Sequence, residues 1–141
     1  MSELTDDQLD RYARHIILKE IGGAGQLKLR VSRVAIVGAG GLGSPCIQYL
    51  AAAGIGRLRV IDDDRVSLDN LQRQTLYATK DIGRPKSEVV RERIAALNPE
   101  VELTTIPERL DRDNVAGLLA GVDLVVDGSD GLAAYAQVRR T

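Results

Sequence analysis

The sequence has a single cysteine, Cys46, and a single histidine, His15. One thiol per chain excludes an internal disulfide and any zinc site built from several thiolates, so the chain on its own offers no zinc site. One imidazole likewise leaves multi-histidine metal centres and histidine-based nucleophilic triads poorly supplied. An excess of one charge is also lacking: 19 Lys and Arg stand against 20 Asp and Glu, for a formal net charge of -1. That balance provides no general attraction to nucleic acid or to an anionic membrane, so any anion site must be local. No stretch approaches the roughly 20 apolar residues that span a bilayer. The start, Met1-Ser2-Glu3-Leu4-Thr5-Asp6-Asp7, has neither the basic end nor the apolar core of a signal peptide. The expectation is a cytoplasmic protein with no nucleic-acid or membrane partner.

What is present is a strongly punctuated α/β pattern. At 141 residues the chain is long enough for one domain with a real core but short for a complete doubly wound enzyme, so residues 1–141 are expected to form one domain. Thr5 followed by Gln8 reads as a capping box, and Leu9, Tyr12, Ile16 and Ile17 recur at helical spacing. They predict a helix over 5–20, ended by Gly22, Gly23 and Gly25, with a short segment around Leu27 and Leu29 after it. The apolar run Val34-Ala35-Ile36-Val37 then stops at Gly38-Ala39-Gly40-Gly41-Leu42-Gly43, and a helix of small residues follows through Ala53. Residues 57–61 read as a second strand ending at Asp62-Asp63-Asp64. A loop with a helical turn carries Asn70 to Gln74, and Val89, Val90, Ile94 and Leu97 mark a helix over 86–97 that Asn98-Pro99 stops. Val101, Leu103 and Ile106 suggest a strand, Asp111 caps a helix to about Leu119, and 122–126 form a last strand before Asp127-Gly128-Ser129-Asp130. Strands alternating with helices specify a parallel sheet, here in the Rossmann-like order 3-2-1-4 and preceded by N-terminal helices. Residues 133–141 read as a helix cut short.

Gly38, Gly40 and Gly43 match G-x-G-x-x-G in the context that gives the pattern meaning, after a strand and opening a helix. Gly38 allows the tight turn, Gly40 lets backbone approach a phosphate, and Gly43 permits close helix packing. The amides at the helix N-terminus then favour an anion. Asp62 ends the next strand, near the interval at which an acid meets ribose hydroxyls. A glycine turn with an incidental exposed acid is the plainer alternative, and the conjunction of strand, turn, helix, strand and acid argues against it.

The residues beyond the second strand decide which nucleotide is expected. Asn70, Arg73 and Gln74 share a face if their turn is helical, and Lys86 opens the following helix on the carboxyl side of the sheet. Alone, Arg73 and Lys86 would be solvated surface charges; beside a glycine loop they can neutralise phosphate oxygens. In order 3-2-1-4 the first and fourth strands are neighbours, which brings Asp130 to face the glycine loop, where a carboxylate can hold Mg²⁺ on phosphates. Asp127 reads as structural. Cys46 follows Pro45 on the first core helix, where a small buried residue is a better reading than a nucleophile.

Arg11-Tyr12-x-Arg14-His15, the loop from Gly38 to Gly43, Asp62-x-Asp64-x-Val66, Asn70-Leu71-x-Arg73-Gln74, Gly83-x-x-Lys86, Asn98-Pro99 and Asp127-Gly128-x-Asp130 together resemble the ThiF/MoeB/HesA family. These adenylyltransferases are related to the ubiquitin-activating enzymes. The resemblance runs from Thr5 to Asp130, and within the family it is nearest in pattern to the molybdopterin-synthase and thiamine sulfur-carrier adenylyltransferases. It implies ATP and Mg²⁺ as cofactors, and a small ubiquitin-like sulfur-carrier protein ending in Gly-Gly as partner. The carrier's C-terminal carboxylate would be adenylated. It further implies that Gly41 backbone and Asp62 contact adenosine, that Asn70, Arg73 and Lys86 handle the phosphates, and that Asp130 serves Mg²⁺ and the reacting centre. A homodimer is implied too, with Arg14 reaching into the neighbouring site in the manner of an arginine finger. On the residues alone Arg14 is a solvent-facing helix residue.

Beyond Asp130 the family pattern continues with Asn and, four residues later, Arg; here Gly131 and Tyr135 stand instead. The family's further strands, paired-cysteine zinc site and crossover loop have no counterpart in this sequence. The expectation is therefore the N-terminal portion of the family fold, binding nucleotide but adenylating a carrier poorly or not at all. Two other readings stay open at the level of sequence: a nucleotide-binding module without catalysis, and an NAD-dependent oxidoreductase domain, which would not need the cluster of Arg73, Lys86 and Asp130.

Overall fold

The computed structural model describes residues 3–129. Asp130, Gly131, Tyr135 and the terminal helix expected at 133–141 lie outside the described residues. Among those described, the order is α1 (Asp6–Arg11), α2 (Ala13–Ile16), α3 (Gly22–Val31), β1 (Arg33–Val37), α4 (Gly43–Ala53), β2 (Arg57–Ile61), α5 (Lys86–Leu97), β3 (Glu102–Ile106), α6 (Val115–Leu118) and β4 (Leu124–Asp127). Single 3₁₀ turns at Leu68–Asn70 and Thr79–Asp81 interrupt the long connection from β2 to α5. The strands are parallel in the order β3-β2-β1-β4, as the alternation of elements predicted. No helix among the described residues is long and apolar enough to cross a membrane.

Alternation along β1 and β2 divides the core between the two faces of the sheet. Val34, Ile36, Leu58 and Val60 face Ile47 and Ala51 of α4 and Val89, Val90 and Ile94 of α5. Ala35, Val37 and Ile61 face Leu110 and Leu119 around the much shorter α6. Full burial of each large aliphatic side chain contributes roughly 1.5–3 kcal/mol, which makes the α4/α5 face the principal stabilising layer. On the thinner face Arg59 replaces an apolar residue. Its guanidinium donates to the carbonyls of Leu118 and Ala120 at 2.7 and 2.8 Å, satisfying carbonyls left free at the end of α6.

The N-terminal segment departs from the predicted helix over 5–20. The capping box forms, with Thr5 Oγ1 accepting from the Gln8 amide at 3.2 Å and Gln8 Oε1 from the Thr5 amide at 2.8 Å. The helix nevertheless breaks at Tyr12, whose φ and ψ are -105° and 15°. Its ring is buried and its hydroxyl accepts from Asn98 Nδ2 at 2.8 Å, so a tertiary anchor overrides local periodicity. The glycines expected to end that helix instead begin α3, with Gly22 at φ +59°. Gly25 fits there because Ile21 Cγ2 lies 3.1 Å from where its Cβ would be. Gln26, fully buried on α3, donates to the Ala53 carbonyl at 2.8 Å and faces His15 Nδ1 at 3.2 Å. Arg11, Tyr12 and His15 thus fasten the N-terminal helices to α3 and to the end of α5.

Candidate functional site

Strand register brings the carboxyl ends of the sheet level. Val37 pairs with Ile61 and with Asp127, and Ile61 pairs with Ile106. One residue further on, the Gly38 amide donates to the Ile61 carbonyl, the Asp62 amide to Ile106 and the Gly128 amide to Val37, at 2.9, 3.1 and 2.8 Å. A cleft of about 260 Å³ opens above this edge, lined by Gly38, Gly40, Asp62, Asn70, Arg73, Gln74 and Lys86 together with Asp63, Asp64, Glu108, Arg109 and Ser129. It sits by the topological switch point, where the strand order reverses between β1 and β4, the place where open parallel sheets bind ligands.

The glycine loop is shaped by contacts that leave no room for side chains. Gly38 has φ +92°, and a Cβ there would lie 2.8 Å from the Gly128 carbonyl oxygen. At Gly43 a Cβ would overlap the Gly38 carbonyl oxygen at 1.7 Å, so α4 can start this close to the loop only from glycine. The Ala39 peptide between them is held from both sides. Its amide donates to Asp62 Oδ2 at 2.8 Å, and its carbonyl accepts from the Tyr77 hydroxyl at 2.6 Å. Asp62 Oδ1 also accepts the Asp64 amide at 2.7 Å. Burial raises the Asp62 carboxyl above its ordinary range, while these two amides and Lys86 oppose the shift. Burial, with Asp62 and Asp64 nearby, raises the Tyr77 phenol as well, so it stays protonated and able to donate.

Opposite the loop, α5 supplies Lys86 at its first turn. The side chain is 4% exposed. Its ammonium lies 4.0 Å from Asp64 Oδ2 and 5.7 Å from the centre of the Tyr77 ring. Asp64 is itself largely exposed, so it compensates the buried charge weakly. Arg73 is exposed at the rim, with Nη1 donating to the Asp69 carbonyl at 3.2 Å and Nε 3.3 Å from where a Gly41 side chain would begin. The amides of Arg73 and Gln74 both donate to the Asn70 carbonyl, at 3.2 and 2.8 Å, which puts the three residues on one turn as expected. Asn70 Oδ1 is occupied by the Ser67 amide at 3.0 Å.

Gly38, Gly40, Asp62, Asn70, Arg73 and Lys86 are therefore assembled around one cleft, with Gly41 against Arg73 and Gly43 behind the loop. Arg14 is exposed on α2 and is not among the lining residues. Asp127 accepts from the Ser129 amide at 3.0 Å, the structural use expected of it. Burial raises the Cys46 thiol, which disfavours a thiolate. Sequence reasoning missed Tyr77, which reads as one more core aromatic, and the β3–α6 loop carrying Glu108 and Arg109. The rule that ligands meet the carboxyl ends of the strands was the available signal for that loop.

The ThiF family model matches residues 12–141. This chain belongs to the ThiF family. The chain is 53% identical to the SAMP-activating enzyme E1 of Haloferax volcanii over 87% of its own length and 46% of the relative's. It is 44% identical to the molybdopterin-synthase adenylyltransferase of Salmonella typhimurium over 98% of its length and 55% of the relative's. It spans about half the length of these curated relatives. Among solved structures, E. coli tRNA N6-threonylcarbamoyladenosine dehydratase, TcdA, in complex with ATP, superposes with a TM-score of 0.91 at 30% identity, covering 99% of this chain and 58% of that one. The family resemblance read from the motifs and the Rossmann-like order of strands are both borne out.

Proposed function

We propose that this chain binds Mg·ATP in the cleft and takes part in adenylating the C-terminal carboxylate of a small ubiquitin-like sulfur-carrier protein ending in Gly-Gly. The observation that carries the reading is Lys86: a cation 4% exposed, lining the cleft with the glycine loop, whose one ion-pair partner among the described residues is the exposed Asp64 at 4.0 Å. A polyphosphate supplies the missing negative charge. A nicotinamide dinucleotide has less need of it. The glycine-loop amides and the start of α4 suit phosphate oxygens, the remaining lone pairs of Asp62 suit ribose hydroxyls, and Asn70 Nδ2 and Arg73 extend the donors along the phosphate chain. Support also comes from membership of the ThiF family and from the ATP-bound structural neighbour.

A carrier carboxylate is ionised at neutral pH, so no general base is required. One carboxylate oxygen attacks the α-phosphorus, the bond from that phosphorus to the bridging oxygen breaks, and pyrophosphate leaves. The chain's contribution is positioning and charge neutralisation, the main terms in phosphoryl-type transfer. In the proposal Asp130, which lies outside the described residues, would hold Mg²⁺, and the ion would supply neutralisation of charge developing in the transfer. Arg14 is assigned to the site of a second copy in a homodimer, consistent with its exposure on α2. Gly131 and Tyr135 replace residues of the family pattern beside Asp130, and turnover slower than that of a full-length relative is expected from them.

Calorimetry with Mg·ATP and NAD tests the nucleotide assignment: tighter binding of NAD overturns it. Exchange of labelled pyrophosphate into ATP tests the acceptor. The expected result is slow exchange that requires a carrier with an intact Gly-Gly end, and exchange indifferent to that end would remove the carrier from the reading.

A further inference from the structure

Three glutamines are buried among the described residues: Gln8, Gln26 and Gln74, at 3%, 1% and 3% exposure. The first two are paired at both ends of the carboxamide. Gln8 accepts from the Thr5 amide and donates to Glu100 at 2.8 Å; Gln26 faces His15 and donates to the Ala53 carbonyl. Both fasten one element to another. Gln74 differs. Its Oε1 is buried with no hydrogen-bond partner, although its backbone is fully engaged with Asn70 and Tyr77. The turn therefore does not require this side chain, and an unpaired buried acceptor destabilises the free protein.

The position of Gln74 supplies a reason for keeping it. The residue lines the cleft, and its Nε2 lies 3.5 Å from where a side chain at Gly40 would begin. Gly40 is the point of the loop at which backbone approaches phosphate. A neutral amide untied at its oxygen end turns easily about its two-fold terminal torsion. An ionised phosphate presents only acceptors, so it selects the pose with Nε2 toward it. We propose that Gln74 is a nucleotide-contacting residue that donates an amide N–H to a phosphate oxygen beside Gly40. This rests on the reading of the cleft as an ATP site and adds an uncharged donor to Lys86 and Arg73.

The test uses the full chain, with Gln74→Met as a near-isosteric apolar variant and Gln74→Glu as an isosteric acid. Binding of Mg·ATP and of adenosine is measured by calorimetry, and ligand-free thermal unfolding is recorded. Gln74→Met is expected to weaken Mg·ATP about tenfold and leave adenosine unchanged. It should leave the ligand-free melting temperature equal to or above that of the wild type, because an orphaned acceptor is removed. Gln74→Glu should weaken Mg·ATP further, since it replaces a donor by an anion. A loss confined to Mg·ATP supports the proposal whatever the melting temperature does. Wild-type affinity in both variants overturns it, and so does an equal loss for ATP and adenosine, which marks a general disturbance. If the wild type itself binds no ATP, it is the reading of the cleft that fails.

Discussion

Two buried charges lie against helix α5, Asp81 on the preceding 3₁₀ turn and Lys86 on the helix itself, and they are treated oppositely. Asp81, 0% exposed, accepts from the Ala78 amide at 2.8 Å, from Arg93 of α5 at 2.6 Å and from Arg84 just before that helix at 3.2 Å. Burial raises this carboxyl, but the Ala78 amide and the two guanidinium groups outweigh it and hold the group below its ordinary range. At the first turn of the same helix Lys86 is almost as buried, with one exposed carboxylate at 4.0 Å. The same cleft is lined by Gln74, whose Oε1 is buried without a partner, and by Asp62, raised by burial. A fully compensated charge maintains the fold; a weakly compensated one beside a cleft marks where something else is meant to bind.

Breaking the compensated end has the largest expected effect. Asp81→Ala leaves a void beneath Arg93 while Arg84 keeps Glu88 and Glu92, and because both guanidinium groups are partly exposed the cost lies at the low end of the roughly 3–5 kcal/mol for breaking a buried pair, about 3 kcal/mol. In a domain of this size that lowers Tm by roughly 10 °C. Thermal unfolding without ligand reads it directly, and a fall below about 3 °C, the scale of roughly 1 kcal/mol, would place the network among weak surface pairs. Lys86→Ala should do the reverse. It removes an undercompensated charge, so Tm stays within about 2 °C of the wild type or rises, while Mg·ATP affinity falls about 10- to 100-fold through loss of a charge-assisted contact. Unchanged affinity by calorimetry would dismiss Lys86 as a phosphate ligand.

Acid sharpens the comparison with the smallest effect. The folded-state pKa of Asp81 is lowered, so its stabilisation is present above the unfolded value of about 3.9 and is lost as pH falls through the folded value. Asp62 is raised, so its penalty applies above its folded value and disappears as pH falls below about 3.9. Urea unfolding between pH 6 and 3, a window that brackets ordinary carboxylate titration, should therefore show a shallower acid loss in Asp81→Asn and a steeper one in Asp62→Asn. Parallel curves for the two variants would contradict the opposed signs.

The sheet was legible because its signals were redundant. Val34 to Val37, the glycine loop and Asp62 announce strand, turn, helix and strand together, and the helix over 86–97 has its periodicity and its stop signal in place. The N-terminal segment was not legible from local pattern. Tyr12 and Gln26 take their conformations from Asn98 and Ala53, dozens of residues away, and three glycines opening a helix contradict their propensity. Within the site, the loop glycines and the charged residues Asp62, Arg73 and Lys86 were found, but the charged pair Glu108 and Arg109 was not, because their loop carries no motif. Tyr77 was not, because nothing local distinguishes a phenol that grips a loop from one that fills a core. Gln74 was noticed for its place on the turn, yet its unpaired oxygen could be known only once every neighbour was placed.

The grip on Ala39 has a consequence for repeated use. That residue is fully buried, its amide is taken by Asp62 and its carbonyl by Tyr77, so the glycine loop has its shape before any ligand arrives. The conformational entropy of that peptide is surrendered once, when the chain folds, and is not surrendered again at each encounter. A loop that ordered itself around every nucleotide would charge each cycle for the same work and relax after each release. This one is left as it was found, equally ready for the next molecule.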